Sequence, residues 1–195
     1  MPAPRRHLAE IAIAPQLQLA MTPFNPGIPQ PGEYNPAFAG YVSKARSIAD
    51  PLKKLEEQRQ ELLSLLRPLG SEKQLYRYAP GKWSVKEMVG HIIDTERIFS
   101  YRALRVARAD QTPLASFEQD DYVAASGLER CDWSELLDEF DHVRRAAILL
   151  LRHLPEAAWS RAGTASDAPI TVRALAYIMI GHVAHHLEIL RERYV

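Results

Sequence analysis

The chain has 195 residues, and its 24 Lys and Arg residues balance its 24 Asp and Glu residues. This length suits one domain with an extension, and the zero net charge excludes a global attraction to nucleic acid or to an anionic membrane. The single cysteine, Cys131, excludes an intrachain disulfide and a cysteine-held metal cluster, so any metal must be held by histidine and carboxylate. No apolar run is long enough to span a bilayer, and the N-terminus has no convincing signal-peptide cleavage site. We therefore expect a cytoplasmic protein.

The first 45 residues are predicted to form an irregular, proline-rich N-terminal arm. Eight of the 14 prolines lie within the first 36 residues, where the segment "TPFNPGIPQPGEYNP" suits neither a regular helix nor a central strand. Met21 is an alternative start, which would make residues 1–20 either a disordered extension or a start-site artefact. Residues 46–195 are predicted to form a single helical domain.

Helix signals replace proline from residue 50 onward. Each start signal precedes a segment in which apolar residues recur every three or four positions, as they do on the buried face of a helix. The predicted starts are Asp50 before Pro51, Ser84 with Glu87 three residues later, Asp132 with Glu135, and Thr171. No segment of comparable length alternates with period two, so we expect essentially no sheet.

Four helices of about 17 to 25 residues predict an all-α fold, a four-helix bundle. The connection between the second and third helices, "ADQTPLASFEQDDYVAASGLERC", is long enough to run the length of a helix. These two helices can therefore lie parallel, which makes an up-down-down-up order possible.

The C-terminal segment "GHVAHHLEILRERYV" concentrates histidines on the fourth predicted helix. With His182 set to zero on a helical wheel, His186 lies at about +40° and His185 at about −60°. His182 and His186 thus point into the bundle, and imidazoles at positions i and i+4 can bind one metal ion. The third candidate ligand is His91, which lies at the edge of the buried arc of the second helix. The alternative is that these histidines are hydrogen-bonded core residues, which buried histidines more commonly are.

Glu96 lies in the centre of the second helix's apolar stripe and needs a partner there. It either pairs with an Arg or Tyr in the core or supports the site as an acid or base. Other side chains are assigned by position alone. Tyr101, Arg102 and Asp94 are candidate anion or metal-site contacts, and His142 and His153 are predicted to face solvent or an interface.

Three segments together resemble the DinB-like superfamily of four-helix-bundle proteins. They are "YRYAPGKWSVKEMVGHIIDTERIFSYRALRVARAD", "FEQDDYV" and "TVRALAYIMIGHVAHHLEILRERY", and the resemblance covers roughly residues 46–195. It implies an up-down-down-up bundle, a homodimer, and a divalent metal with open coordination positions. By the same resemblance His91, His182 and His186 match the metal ligands, and His185 lies outside the pattern.

The resemblance also implies a class of function. Members of the superfamily include S-transferases that use bacillithiol or mycothiol, and proteins proposed to be hydrolases. We therefore expect a metal-dependent enzyme whose divalent ion, zinc or nickel first, activates a water or a low-molecular-weight thiol for hydrolysis or S-transfer. A thiol would come from a cosubstrate, because the motifs contain no cysteine, and no catalytic side chain is assigned. The alternative is a non-catalytic, metal-stabilised bundle that binds a partner or acts in a stress response, and neither nucleic acid nor membrane is expected as a partner.

Overall fold

The computed structural model describes residues 25–195, which form a bundle of four long helices with shorter elements around it. None of the helices in this range is long and apolar enough to cross a membrane. In chain order, the helices are α1 (Ala39–Ala45), α2 (Pro51–Leu66), α3 (Ser71–Leu75), α4 (Val85–Ala107), α5 (Gln119–Ser126), α6 (Trp133–Arg152) and α7 (Val172–Arg193), and the strands are β1 (Ala162–Ala165) and β2 (Ala168–Thr171).

The four long helices begin where the sequence predicts them. Asp50 accepts a hydrogen bond from the Lys53 backbone N–H at the start of α2. At the start of α4, Ser84 and Glu87 form the reciprocal capping box, in which each side chain accepts from the other residue's backbone N–H. Side-chain caps also begin the other two long helices. Asp132 caps α6 and Thr171 caps α7.

Two apolar clusters, one at each end of the bundle, establish the direction of the helices. One cluster joins the ends of α2 and α7 to the starts of α4 and α6. The other joins the starts of α2 and α7 to the ends of α4 and α6. Helices α2 and α7 therefore run one way and α4 and α6 the other. The up-down-down-up order is confirmed, with α4 packed against both α6 and α7.

The described part of the segment before α2 covers one face of α7. Helix α1, which the sequence did not predict, packs along α7, and Tyr34, Phe38 and Tyr41 contact the core. The contact is close because α7 has a glycine at the crossing, and a Cβ on Gly181 would lie 2.0 Å from the backbone oxygen of Tyr41. The predictions for residues 1–20 lie outside the described residues.

A short antiparallel hairpin, β1–β2, leads into α7, whereas the sequence predicted essentially no sheet. Its two-residue turn places Ser166 and Asp167 at φ of 52° and 58°, the left-handed values of a hairpin turn that glycine and asparagine usually mark. The Leu114 backbone pairs with β1 and ties the connection after α4 to the hairpin. The hairpin thereby holds Ser166 against the side of α4.

Candidate metal centre

The structure brings His91, His182 and His186 together between α4 and α7. The Nε2 atom of His182 lies 2.9 Å from Nε2 of His91 and 3.1 Å from Nε2 of His186. All three residues are buried. They are the group of three candidate metal-ligating side chains found among residues 25–195, and their ligand atoms lie within 4.8 Å of one another.

Aromatic side chains pack against His91 and His182, and the His186 ring packs against both of these imidazoles. The Trp83 ring lies 4.7 Å from the His91 ring, and the Tyr41 ring meets the His182 ring edge-on at 5.4 Å. His185 is half-buried at 5.8 Å from Tyr41 and lies outside the cluster, as its position on the helical wheel indicated. His142 and His153 are exposed, as predicted.

Burial keeps the three imidazoles neutral at neutral pH. It lowers the pKa of His91 to about 4, with a smaller effect from the charge of His185. It lowers the pKa of His186 to about 3, with smaller effects from His91 and His185. The pKa of His182 is also well below its usual value, first through burial and then through the neighbouring imidazoles. Neutral imidazole is the form that binds a metal, because its second nitrogen has a free lone pair.

The chemistry of the cluster fits a divalent ion. Three Nε2 atoms converge on one point, and three imidazoles are a known ligand set for a catalytic zinc. The Nδ1 atoms of His182 and His186 are buried and have no hydrogen-bond partner in the part of the chain that the structure describes. The outer hydrogen bonds that usually orient a ligating histidine are therefore missing for these two residues. Helix packing and ring contacts orient them instead.

Glu96 does not belong to the cluster. Its Oε1 accepts a hydrogen bond from Nη2 of Arg144 on α6 at 2.7 Å, and both side chains are buried. The prediction that Glu96 pairs with an arginine in the core is confirmed. Because Glu96 is engaged elsewhere, the cluster found among residues 25–195 consists of three histidines and no carboxylate.

Two cavities lie beside the three histidines. The first, here called the inner cavity, has a volume of about 240 Å³ and is lined by His91 and His182. The second, the side pocket, has a volume of about 310 Å³ and is lined by His186. Tyr41 and Gln119 line both cavities. The histidines are therefore reached from open space on two sides. The remaining residues that line the inner cavity are Phe38, Thr95, Phe99, Arg102, Phe117, Glu118 and Ser166.

A larger groove of about 470 Å³, here called the outer groove, lies on the outer side of α4 and includes none of the three histidines. Tyr101 lines this groove, is half-exposed and accepts a hydrogen bond from Arg105. Asp94 is half-buried and lines neither cavity beside the histidines. Of the three contacts predicted by position, only Arg102 lines the inner cavity, and it also lines the outer groove.

Sequence reasoning missed several side chains around the histidines. Tyr41 lies in a segment that was assigned to the arm, and no helical period marks it. Trp83, Phe117 and Gln119 lie inside the quoted segments "GKWSVKE" and "FEQDDYV", but nothing in those segments indicates that they approach His91. The segment match could have identified them as candidates, although it could not have given their roles.

Comparison with known proteins agrees with this fold. Among solved structures, the chain is similar to YfiT from Bacillus subtilis, described as a probable metal-dependent hydrolase with an unusual four-helix bundle topology. The TM-score is 0.64 at 20% sequence identity, over 72% of this chain and 84% of that chain. At this identity the likeness bears on the fold alone.

The sequence has no significant match among the curated proteins. Residues 54–190 match the DinB superfamily, and this range is well over half of the chain. The chain therefore belongs to the DinB superfamily.

Proposed function

We propose that this protein is a metal-dependent enzyme in which His91, His182 and His186 hold a divalent ion, and that it hydrolyses a small substrate bound beside them. One observation carries the proposal. Three neutral imidazoles converge at the wall of an open cavity, and no carboxylate among residues 25–195 occupies their Nε2 atoms. YfiT, which shares the fold, is described as a probable metal-dependent hydrolase, and this supports the choice of reaction.

The protein's side chains would prepare the site for this chemistry. A bound divalent ion would supply a Lewis acid that lowers the pKa of a coordinated water or thiol. Burial keeps the histidine lone pairs available, and Phe38 and Phe99 give the inner cavity an apolar wall. Burial also raises the pKa of Tyr41, so its hydroxyl stays protonated and remains a hydrogen-bond donor on a residue that lines both cavities.

The second candidate function is a non-catalytic bundle that uses metal only for stability. Structural zinc sites are closed by four protein ligands, whereas catalytic sites keep an open position. The set of three histidines and the two adjacent cavities favour the catalytic reading.

Transfer of a thiol by the same metal centre is an alternative enzymatic reaction that we also propose. Cys131 is exposed and lines neither cavity, so the thiol would come from a cosubstrate. The homodimer that the family resemblance implies also remains a prediction.

Elemental analysis of untagged protein, purified without added metal, tests the metal centre. We expect about one zinc or nickel ion per chain in the wild-type protein, and loss of that ion when His91, His182 and His186 are all replaced by alanine. His142→Ala is the matched control, because this histidine is exposed on α6. Full metal occupancy in the triple variant would reject the ligand assignment.

A second measurement separates the two candidate functions. Metal-loaded and chelator-treated protein is assayed against a panel of small esters and amides. Hydrolysis that disappears with the chelator and returns with added metal supports the enzyme. Stoichiometric metal with no turnover across the panel, but with a large loss of stability on chelation, would favour the structural alternative.

A further inference from the structure

The inner cavity contains a buried cation that forms no ion pair among residues 25–195. Arg102 is 3% exposed, and its Nη2 donates hydrogen bonds to the Ala115 carbonyl oxygen at 2.6 Å and to Oγ of Ser166 at 3.1 Å. Both acceptors are neutral. The other two buried arginines in this range pair with carboxylates, Arg144 with Glu96 and Arg59 with Glu56 and Asp141. A buried guanidinium without a carboxylate is therefore not the rule among the described residues.

Burying an arginine without a counter-ion is unfavourable, because the guanidinium stays protonated and loses its hydration. Burial lowers the pKa of Arg102, and no carboxylate within residues 25–195 offsets that effect. The Phe99 and Phe117 rings lie 5.8 and 5.9 Å from the guanidinium carbon and partly compensate through cation–π contacts. Neither ring supplies a negative charge, whereas an anion bound in the cavity would supply one.

A second buried polar group lies between Arg102 and the histidines. The Thr95 hydroxyl oxygen is buried, has no hydrogen-bond partner within the described range of 25–195, and belongs to a residue that lines the inner cavity. His91, Thr95 and Arg102 are separated by four and seven residues on α4, so they lie within about 40° of one another on the same face of the helix. All three residues also line the inner cavity. The three residues form a polar stripe along one wall of the cavity.

We propose that the inner cavity binds a small carboxylate- or phosphate-bearing substrate, with its anionic group on Arg102, a polar atom on Thr95 and its reacting group at the three histidines. This inference rests on the proposed function, whose substrate class it names. The carboxylate that lines the cavity, Glu118, is exposed, so solvent screens its repulsion of an entering anion. The volume of about 240 Å³ limits the ligand to a small molecule.

Calorimetric titration of zinc-loaded, full-length protein tests the proposal. The ligands are succinate, its uncharged analogue succinamide, and inorganic phosphate, so that the titrations separate charge from shape and carboxylate from phosphate. The variants are Arg102→Gln, Arg102→Lys and Thr95→Val. The control is Arg97→Gln, which removes an exposed, Glu139-paired cation that lines only the outer groove.

We expect the wild-type protein to prefer at least one of the two anions to succinamide. Arg102→Gln should raise the dissociation constant of that anion by roughly tenfold to a hundredfold and leave succinamide binding unchanged. Arg102→Lys keeps the positive charge but loses the planar pair of N–H donors, so it should weaken anion binding less than Arg102→Gln does. Thr95→Val should weaken it by a few-fold, and Arg97→Gln should have no effect.

Three results would overturn the proposal. Equal losses for succinate and succinamide in Arg102→Gln would mean that Arg102 only holds Ala115 and Ser166 in place. An equal loss in Arg97→Gln would place the anion in the outer groove. If Arg102→Gln does not fold, anion affinities equal to that of the wild type in both Arg102→Lys and Thr95→Val would show that the anion does not bind on this wall of the inner cavity.

Metal analysis of the same samples separates this inference from the proposed function. Anion binding that depends on Arg102 in protein that holds no metal would support the anion site and reject the metal centre. Bound metal without any preference for an anion over succinamide would support the metal centre and reject the anion site.

Discussion

Glu96 and Arg144 form a fully buried ion pair between α4 and α6. Nη2 of Arg144 lies 2.7 Å from Oε1 of Glu96. Oε2 of Glu96 and the other two guanidinium nitrogens of Arg144 have no hydrogen-bond partner among the described residues. Burial raises the pKa of Glu96 to about 7, and the attraction of Arg144 opposes that rise. The pair therefore explains how a carboxylate can occupy an apolar stripe, although it contributes little net stability.

Removing one partner should lower the free energy of unfolding by far more than the net contribution of the Glu96–Arg144 pair. Arg144→Met leaves Glu96 buried and unpaired, so the free energy of unfolding should fall by about 3–5 kcal/mol. In the double variant Glu96→Leu with Arg144→Met, most of this loss should be recovered. Urea-induced unfolding monitored by circular dichroism measures both changes.

Arg145, the next residue after Arg144, provides the control for this prediction. Arg145 pairs with Asp141, but its side chain is 57% exposed, so Arg145→Met should change the stability by less than about 1 kcal/mol. If Arg144→Met cost no more than Arg145→Met, the account of the buried pair would be wrong.

At the scale of elements, α1 and α7 cross so closely that a single glycine permits the contact. A Cβ on Gly181 would lie 2.0 Å from the Tyr41 backbone oxygen. This oxygen cannot move aside by a change of side-chain rotamer. A Cβ on Gly90 would lie equally close to a Leu128 side-chain methyl group, but a leucine side chain can change rotamer. The added methyl group would therefore meet a fixed backbone at position 181 and a movable side chain at position 90.

Gly181→Ala should therefore destabilise the protein more than Gly90→Ala. We expect a loss of about 2–3 kcal/mol for Gly181→Ala, because overpacking against backbone outweighs the gain in helix propensity. For Gly90→Ala we expect a change within about 1 kcal/mol, since the two effects nearly cancel. Each glycine directly precedes a candidate ligand, so the two variants are matched, and equal unfolding midpoints in urea would contradict the prediction.

The segment before α1 is also tied to the start of α7 by charge. Glu33 accepts hydrogen bonds from Arg173 and from the hydroxyl of Thr171, the residue that caps α7. Burial by itself would raise the pKa of Glu33, but the hydrogen bonds and the charge of Arg173 outweigh it and hold the pKa below its usual value of 4.5. Ionised Glu33 thus links two elements that are distant in the sequence.

This contact should stabilise the protein in a pH-dependent way. Because the pKa of folded Glu33 is lowered, its stabilisation is present above pH 4.5 and is lost as the pH falls through the lower folded value. Glu33→Gln should cost about 1–2 kcal/mol at pH 7 and much less at pH 3. Urea unfolding of the wild type and the variant at both pH values measures the difference, and an equal cost at both would reject the assignment.

At the scale of the whole molecule, the antiparallel packing of α4 and α7 places the histidines of both helices at the same level of the bundle. His91 lies early in α4 and His182 and His186 lie late in α7. A metal held by all three would link elements about 90 residues apart in the sequence. An ion that binds only the folded state would raise the free energy of unfolding.

Added zinc or nickel should therefore stabilise the wild-type protein. At a free metal concentration of about a thousand times the dissociation constant, the gain should be about 4 kcal/mol. Thermal and urea unfolding with and without a chelator measure this gain, and His153→Ala, which alters an exposed histidine, should retain it. An equal gain in the triple histidine variant would show that the metal binds elsewhere.

The sequence by itself determined the four long helices, their starting residues and the inward direction of His182 and His186. These are local properties, because a cap needs residues within one turn and the faces of a helix follow from 3.6 residues per turn. Helix α1 and the hairpin gave no comparable signal. Seven residues are too few to show a helical period, and Ser166 and Asp167 are not the glycine and asparagine that usually mark such a turn.

Only the tertiary structure decided what surrounds the histidines. His91 appeared at the edge of a buried arc, yet the packing of α4 against α7 brings its Nε2 to 2.9 Å from that of His182. The sequence marked Arg102 as a candidate contact by position alone and did not single out Thr95. That Arg102 has no ion pair and Thr95 no hydrogen-bond partner among residues 25–195 becomes visible only when the neighbouring elements are in place. Whether a buried polar group has a partner depends on contacts between segments far apart in the chain, and no local pattern records those contacts.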